Sequence, residues 1–243
     1  MSDIELLKLE IETLWVTDAR GRLVAPRANH ENAAPHMVIG AATDGTTTTF
    51  SSELPELLVI KLREEVEASE PSRDPSLQPP ALARCADVLA RALGPVDITS
   101  GPSYIVPPGV EFKSSAEIVT SDDPRAQSLP VLAKANWAAD EWQALVEGRL
   151  GPWAAAIANG QIVSLCHSAR LAECGAEAGV WTDPSHRDQG HAAAVTAAWA
   201  ALLAPTGRTL FYSTSADNRS SRRVAARLNL REIGRLWQIA RRP

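Results

Sequence analysis

The chain has 243 residues, of which 45% are hydrophobic and 22% charged, with a formal net charge of −5 and a pI near 5.6. That length and apolar content supply a core without disulfide or metal staples and exclude a wholly disordered chain, and the acidic balance argues against general nucleic-acid affinity. No apolar run is long enough for a membrane span: the longest, Ala192 to Ala204, is interrupted by Thr196 and stops at Pro205.

The first ten residues, MSDIELLKLE, alternate acids with hydrophobes and lack the basic start and apolar stretch of a secretory signal. Cys85, Cys166 and Cys174 are odd in number and have no metal-ligand spacing, which fits a reducing compartment and no bound metal. A soluble, cytoplasmic protein without membrane or nucleic-acid partners is expected. Charge is unevenly placed: residues 1–80 hold fourteen acids against seven basic residues, and residues 207–243 hold nine arginines against two acids. The basic end is either a solvated helix face or an aid in holding a phosphorylated ligand.

In chain order, Leu14 to Thr17 and Arg22 to Val24 flank Asp18-Ala19-Arg20-Gly21, a hairpin with its turn. Leu54 to Glu67 is an amphipathic helix starting near Pro55. Residues 70–80, with four prolines, form a loop, and Leu82 to Leu93 is a helix stopped by Gly94-Pro95. Gly101 to Pro108 is punctuated by Pro and Gly and leads into an extended stretch. Ala139 to Leu150 reads as a helix ended by Gly151-Pro152. Trp153 to Ala158 and Gln161 to Ser168 flank Asn159-Gly160, whose residues supply the positive φ of a type I′ turn. Ala176 to Thr182 is a strand, Gly190 to Ala204 an alanine-rich helix, Arg208 to Thr214 a strand, Asn218 to Leu228 a helix and Ile233 to Ala240 a last strand.

The informative stretch is AEAGVWTDPSHRDQGHA, Ala176 to Ala192. A strand leads through a loop into a helix whose first amides lack helical partners and whose dipole is positive, so the turn suits phosphate oxygens. Gly190 and Ala192 keep the main chain approachable, and Arg187 adds positive charge. Alone, R-x-x-G-x-A is equally an ordinary helix start with small residues packed on a sheet.

In context the block resembles motif A of the GNAT superfamily of acyl-CoA N-acyltransferases, [Q/R]-x-x-G-x-[G/A]. Ala176-Glu177-Ala178-Gly179, Pro184 and Arg187 match the family pattern in type and spacing. Phe211-Tyr212-Ser213-Thr214, then Asn218-Arg219-Ser220-Ser221, and Val224-Ala225-Ala226-Arg227-Leu228-Asn229-Leu230 resemble its later blocks, so the resemblance covers about residues 130 to 240. It implies an α/β (α+β) fold: a mixed, largely antiparallel central sheet splayed between two parallel strands and flanked by helices. Residues 116–243 would form the acetyltransferase domain, and residues 1–115 an N-terminal α/β extension of undetermined independence that shapes the acceptor pocket.

The resemblance also implies a site. The pantetheine of acetyl-CoA would pair with Val180, Trp181 and Thr182. Its pyrophosphate would sit on Arg187, Asp188, Gln189, Gly190, His191 and Ala192. Asn218, with Ser221 three residues on, would contact the pantetheine or simply cap the helix. Glu177 matches the position of the family's catalytic base, with Glu173 as a second candidate; Glu177 instead pairing with an arginine or facing water is the plainer alternative. A carboxylate in a partly apolar cleft suits amine deprotonation because burial raises its pKa. The family's acid is a Tyr where this chain has Ala225, which leaves Tyr212, Ser213, Ser215 or water to protonate the thiolate.

Adjacent strand residues point to opposite faces, so Cys166 and His167 do not form a nucleophilic pair. The tryptophans are core candidates, with Trp142 and Trp153 near the acceptor side. The expected activity is N-acetyl transfer from acetyl-CoA to a primary amine of a small molecule or peptide, a cationic one if the acidic N-terminal half faces it. The alternatives are a non-catalytic acyl-CoA-binding sensor and an interaction domain without nucleotide. Neither the acceptor nor the oligomeric state is legible.

Overall fold

The computed structural model describes residues 1–27, 33–70, 74–129 and 138–242. The chain is mixed α and β with largely antiparallel pairing, and it divides into two compact units. The first comprises Met1–Tyr104, Ser213–Asn218 and Glu232–Pro243; the second comprises Ile105–Tyr212 and Arg219–Arg231.

The first unit opens with α1 (Asp3–Leu14), which the sequence reading did not anticipate. Its start is a capping box: Ser2 Oγ accepts from Glu5 N–H and Glu5 Oε2 accepts from Ser2 N–H. Asp44 adds a carboxylate that accepts from the Asp3 and Ile4 amides, each at 3.1 Å. The expected hairpin is present as β1 (Trp15–Thr17) and β2 (Leu23–Pro26). Two further strands, β3 (Met37–Ala42) and β4 (Gly45–Phe50), were not anticipated.

Helices α2 (Glu56–Glu67) and α3 (Pro80–Leu93) lie where the periodicity placed them, α3 beginning two residues early because proline suits a first helical turn. Part of the Pro/Gly-punctuated stretch, Gly101 to Ile105, closes the strand β5 (Val96–Ile105). The chain's last strand, β11 (Arg231–Arg241), pairs antiparallel with β3, giving the order β4-β3-β11-β5. Leu7 of α1 packs at Gly40 and Gly234 on one face, while Val59, Leu62, Leu82 and Leu89 close the other over Met37, Ile39 and Trp237.

The second unit contains β6 (Glu117–Thr120), α4 (Ala139–Val146), β7 (Trp153–Ala158), β8 (Gln161–Leu171), β9 (Gly175–Thr182), α5 (His191–Leu203), β10 (Thr209–Ser213) and α6 (Arg219–Arg227). Strand order is β10-β9-β8-β7-β6. Asn159 and Gly160, with φ of 50° and 71°, make the β7–β8 turn. Helix α4 is shorter than expected and ends at Val146, where Glu147 N–H already bonds back to Gln143 O.

Two tryptophans pin helices to the two faces. Trp153 Nε1 donates to Leu145 O of α4 at 2.9 Å, and Trp199 Nε1 of α5 donates to Ser168 Oγ at 3.0 Å. Trp142 and Trp153 are both core residues, grouped with Leu145, Ile162 and Leu165. Cys166 is buried on the α5 side, and burial pushes its thiol well above the ordinary range. No helix among the described residues is long and apolar enough to cross a membrane.

Candidate active site

The site begins where two parallel strands part. Strand β9 pairs with β10 over three rungs, Gly175–Thr209, Ala176–Leu210 and Glu177–Phe211, and there the pairing ends. Beyond it β9 runs on to Thr182, held on its other side by β8 from Leu171–Ala176 to Ser164–Thr182. Residues Ala178 to Thr182 therefore have one edge unpaired by β10.

The alternation of an antiparallel ladder says which groups face that edge. Asp183 N–H bonds Val163 O at 2.9 Å, so the main-chain groups of Trp181 and Gly179 turn toward β8, and those of Val180 and Thr182 turn away. Trp181 O also accepts from Ser164 Oγ at 2.9 Å, and its ring joins the α4-side core. Of the three strand residues anticipated for coenzyme binding, Val180 and Thr182 present their main chain to the fork.

The loop after β9 is built by local polar contacts. Asp183 Oδ1 accepts from Ser185 N–H at 2.9 Å, setting the single 3-10 turn Pro184–His186. Arg187, Asp188 and Gln189 are exposed; Gly190 and His191, which begin α5, are buried. Asp188 and Gly190 both have positive φ, 64° and 88°. A Cβ on Gly190 would lie 2.9 Å from the Phe112 ring, so both backbone conformation and space call for glycine. The first helical bond is Ala194 N–H to Gly190 O, so the preceding amides have no intrahelical partner at the positive end of the helix.

His191 is not exposed to a ligand as a side chain. Its ring is buried, with Nδ1 2.7 Å from Ser114 Oγ and Nε2 3.2 Å from Gln189 Oε1, and burial, with His186 nearby, lowers its pKa below 6.5. Arg223 pairs with Asp188 at 3.3 Å and Arg227 donates to Asp188 O at 3.1 Å, so two arginines of the basic C-terminal stretch hold the loop.

Residues 147–235 match the family model described as GNAT acetyltransferase. This part of the chain belongs to the GNAT superfamily. Among solved structures, the chain is similar to a GNAT-family acetyltransferase structure from Novosphingobium aromaticivorans at 22% identity, covering 60% of this chain and 66% of that one with a TM-score of 0.44. It thus spans just under two thirds of that protein. An acetyltransferase from the GNAT family of Colwellia psychrerythraea is 17% identical, covering 98% and 95% with a TM-score of 0.48. A GCN5-related N-acetyltransferase-like protein from Streptococcus suis is 16% identical, covering 87% and 86% with a TM-score of 0.48. None of the curated proteins matches the chain.

Within the GNAT segment, Glu177 occupies the last rung of the fork, between Arg170 of β8 and Phe211 of β10, and is only 6% exposed. Glu173 lies instead in the exposed turn that precedes β9, closed by Ala172 N–H to Gly175 O at 2.8 Å. Ser221 of α6 faces β10: its Oγ is 2.8 Å from the Tyr212 hydroxyl. Asn218 belongs to the first unit, its amide donating to Ser215 O, and Ala225 is buried. Among the described residues, no group of three His, Cys, Asp or Glu is placed to hold a metal.

His167 does not pair with Cys166, its neighbour on β8. The register instead pairs it with Gly179, and its ring covers that glycine: Cε1 is 2.5 Å from where a Cβ would be. Only a cross-strand register, twelve residues apart in sequence, reveals this.

Proposed function

We propose that this protein transfers an acetyl group from acetyl-CoA to a primary amine by direct attack. The observation that carries the proposal is the end of the β9–β10 pairing at Glu177–Phe211, followed by the main chain of Val180 and Thr182 turned away from β8 and the helix start after Arg187, whose first amides have no intrahelical partner. The thioester would lie at the fork, with the pantetheine along β9 and the diphosphate on Arg187 to Ala192. Ser221 completes the proposed coenzyme contacts, and the acidic balance of the chain favours a cationic amine.

Glu177 is the proposed base, acting directly or through an intervening group, because its buried carboxylate stands on the last rung before the two strands part. The amine nitrogen attacks the carbonyl carbon, the C–S bond breaks, and the leaving thiolate takes a proton. Tyr212 is the proposed donor, its hydroxyl held by Ser221 on the strand that forks from β9. Three free thiols suit a reducing, cytoplasmic setting.

A non-catalytic acyl-CoA sensor is favoured by one observation, the buried Ala225 where the family carries Tyr. Thiol release from acetyl-CoA across a panel of amines separates the two. Catalysis predicts turnover that Glu177→Gln abolishes while coenzyme binding persists. Binding without thiol release from any amine would support the sensor.

A further inference from the structure

We propose that His167 is a catalytic residue, the group that takes the acceptor's proton, with Glu177 behind it. The inference rests on the acyltransfer reading above and names the intervening group in it.

Four observations carry it. The His167 ring lies over Gly179, one rung pair past the fork, on the stretch of β9 that β10 leaves open. Gly179 and Glu177 are two residues apart on one strand, so they share a face, and His167 is the diagonal cross-strand neighbour of Glu177. Such diagonal neighbours are about 7–8 Å apart at Cα, within reach of long side chains. The register also shifts between Ser168 and Arg170, where one extra residue re-aims the strand beside the fork. Finally, the two groups differ in access: Glu177 is buried and His167 is only half-buried.

The backbone reserves this place for the ring. A Cβ on Gly179 would meet His167 Cε1 at 2.5 Å and the Ala169 Cβ at 2.8 Å, and the second of these cannot swing away. Gly179 therefore has a role besides its place in the strand: it admits the imidazole to the face of β9 that carries Glu177.

The protons balance as follows. An incoming ammonium gives one proton to His167 and becomes a neutral amine. Its lone pair forms the N–C bond at the thioester carbonyl as the C–S bond breaks; Tyr212 gives its proton to the leaving sulfur and is reprotonated by the second amine proton. Glu177 remains ionised beside the imidazolium, which returns its proton to solvent, so the net products are amide, free thiol and one proton.

The test measures thiol release from acetyl-CoA with spermidine, phenethylamine and a glycyl peptide, alongside the melting-temperature shift that acetyl-CoA produces. His167→Gln should lower kcat by about 100-fold, the scale of a lost proton-transfer group, with the coenzyme shift retained. Gly179→Ala should lower kcat comparably by expelling the ring. Turnover of His167→Ala should be restored by added 4-methylimidazole, which a merely structural role would not allow. Wild-type turnover with His167→Gln unchanged, or His167→Ala impaired but without rescue, overturns this inference and leaves acyl transfer standing. Coenzyme binding with no wild-type thiol release from any amine overturns both.

Discussion

Ser114 Oγ lies 2.7 Å from His191 Nδ1, which ties the stretch preceding β6 to the first residue of α5. Phe112, two residues earlier in that stretch, lies against Gly190. The loop proposed to receive the diphosphate is thus backed by residues that come from far earlier in the chain. Ser114→Ala removes one hydrogen bond, worth about 1 kcal/mol, and leaves the His191 nitrogen without that partner. We expect acetyl-CoA affinity to fall about fivefold, measured by calorimetry, with secondary structure by circular dichroism unchanged.

Gly190→Ala tests the same loop from the backbone side. Alanine at φ 88° costs about 1–3 kcal/mol, and its methyl would press on Phe112. The expected outcome is a lower melting temperature together with a smaller acetyl-CoA-induced rise. A variant that loses stability but keeps the full rise would show that the loop conformation is unimportant to the coenzyme.

Acid sensitivity follows from two histidines. Burial holds His191 and His36 below their ordinary value of 6.5, and Arg241 also lowers His36, opposed by Glu53. Below pH 6.5 the unfolded chain takes up protons that the folded one refuses. Their contribution is therefore complete above pH 6.5 and is lost as pH falls through the depressed folded values. The carboxylates behave separately: Asp123 is held at about 2 by hydrogen bonds from Arg125, and Asp18 and Asp74 also lie below 3.8, so their loss begins only in stronger acid. Melting temperatures between pH 7.5 and 5 should fall, and the fall should be shallower in a His36→Gln, His191→Gln double variant.

Much of this fold is legible where the signal is local. Asn159-Gly160 marks its turn, Gly94-Pro95 bounds its helix, and RTLFYST forms a strand because its side chains suit one. Helix α1 carries a Ser-x-x-Glu box at its start, but the alternation of acids with hydrophobes that follows does not by itself mark a helix. Strands β3 and β4 escaped notice because MVIGAA and GTTTTF lack the alternation that flags a half-buried strand; β3 is buried throughout. The pairing of β11 with β3, the placing of Phe112 on Gly190 and that of His167 on Gly179 depend on contacts between distant segments, which no window of sequence contains.

Tyr212→Phe addresses thiolate protonation. The hydroxyl contacts Ser221 Oγ at 2.8 Å, a side-chain contact separate from the main chain of Val180 and Thr182. We expect kcat to drop about 10²-fold or more, the range for a general acid, with the Kd for acetyl-CoA within about twofold of wild type. An unchanged kcat would assign the proton to water or to a neighbouring serine.

The most direct measurement is the melting temperature with and without 1 mM acetyl-CoA, because a ligand that binds only the folded chain must stabilise it. For a dissociation constant near 10 μM the stabilisation is about 2.7 kcal/mol, or roughly 5–10 °C for a chain of this size. We predict such a rise, diminished in Gly190→Ala. No rise with the coenzyme at that concentration, in a protein that unfolds cooperatively, would contradict the proposal that the fork of β9 and β10 and the turn after Arg187 hold acetyl-CoA.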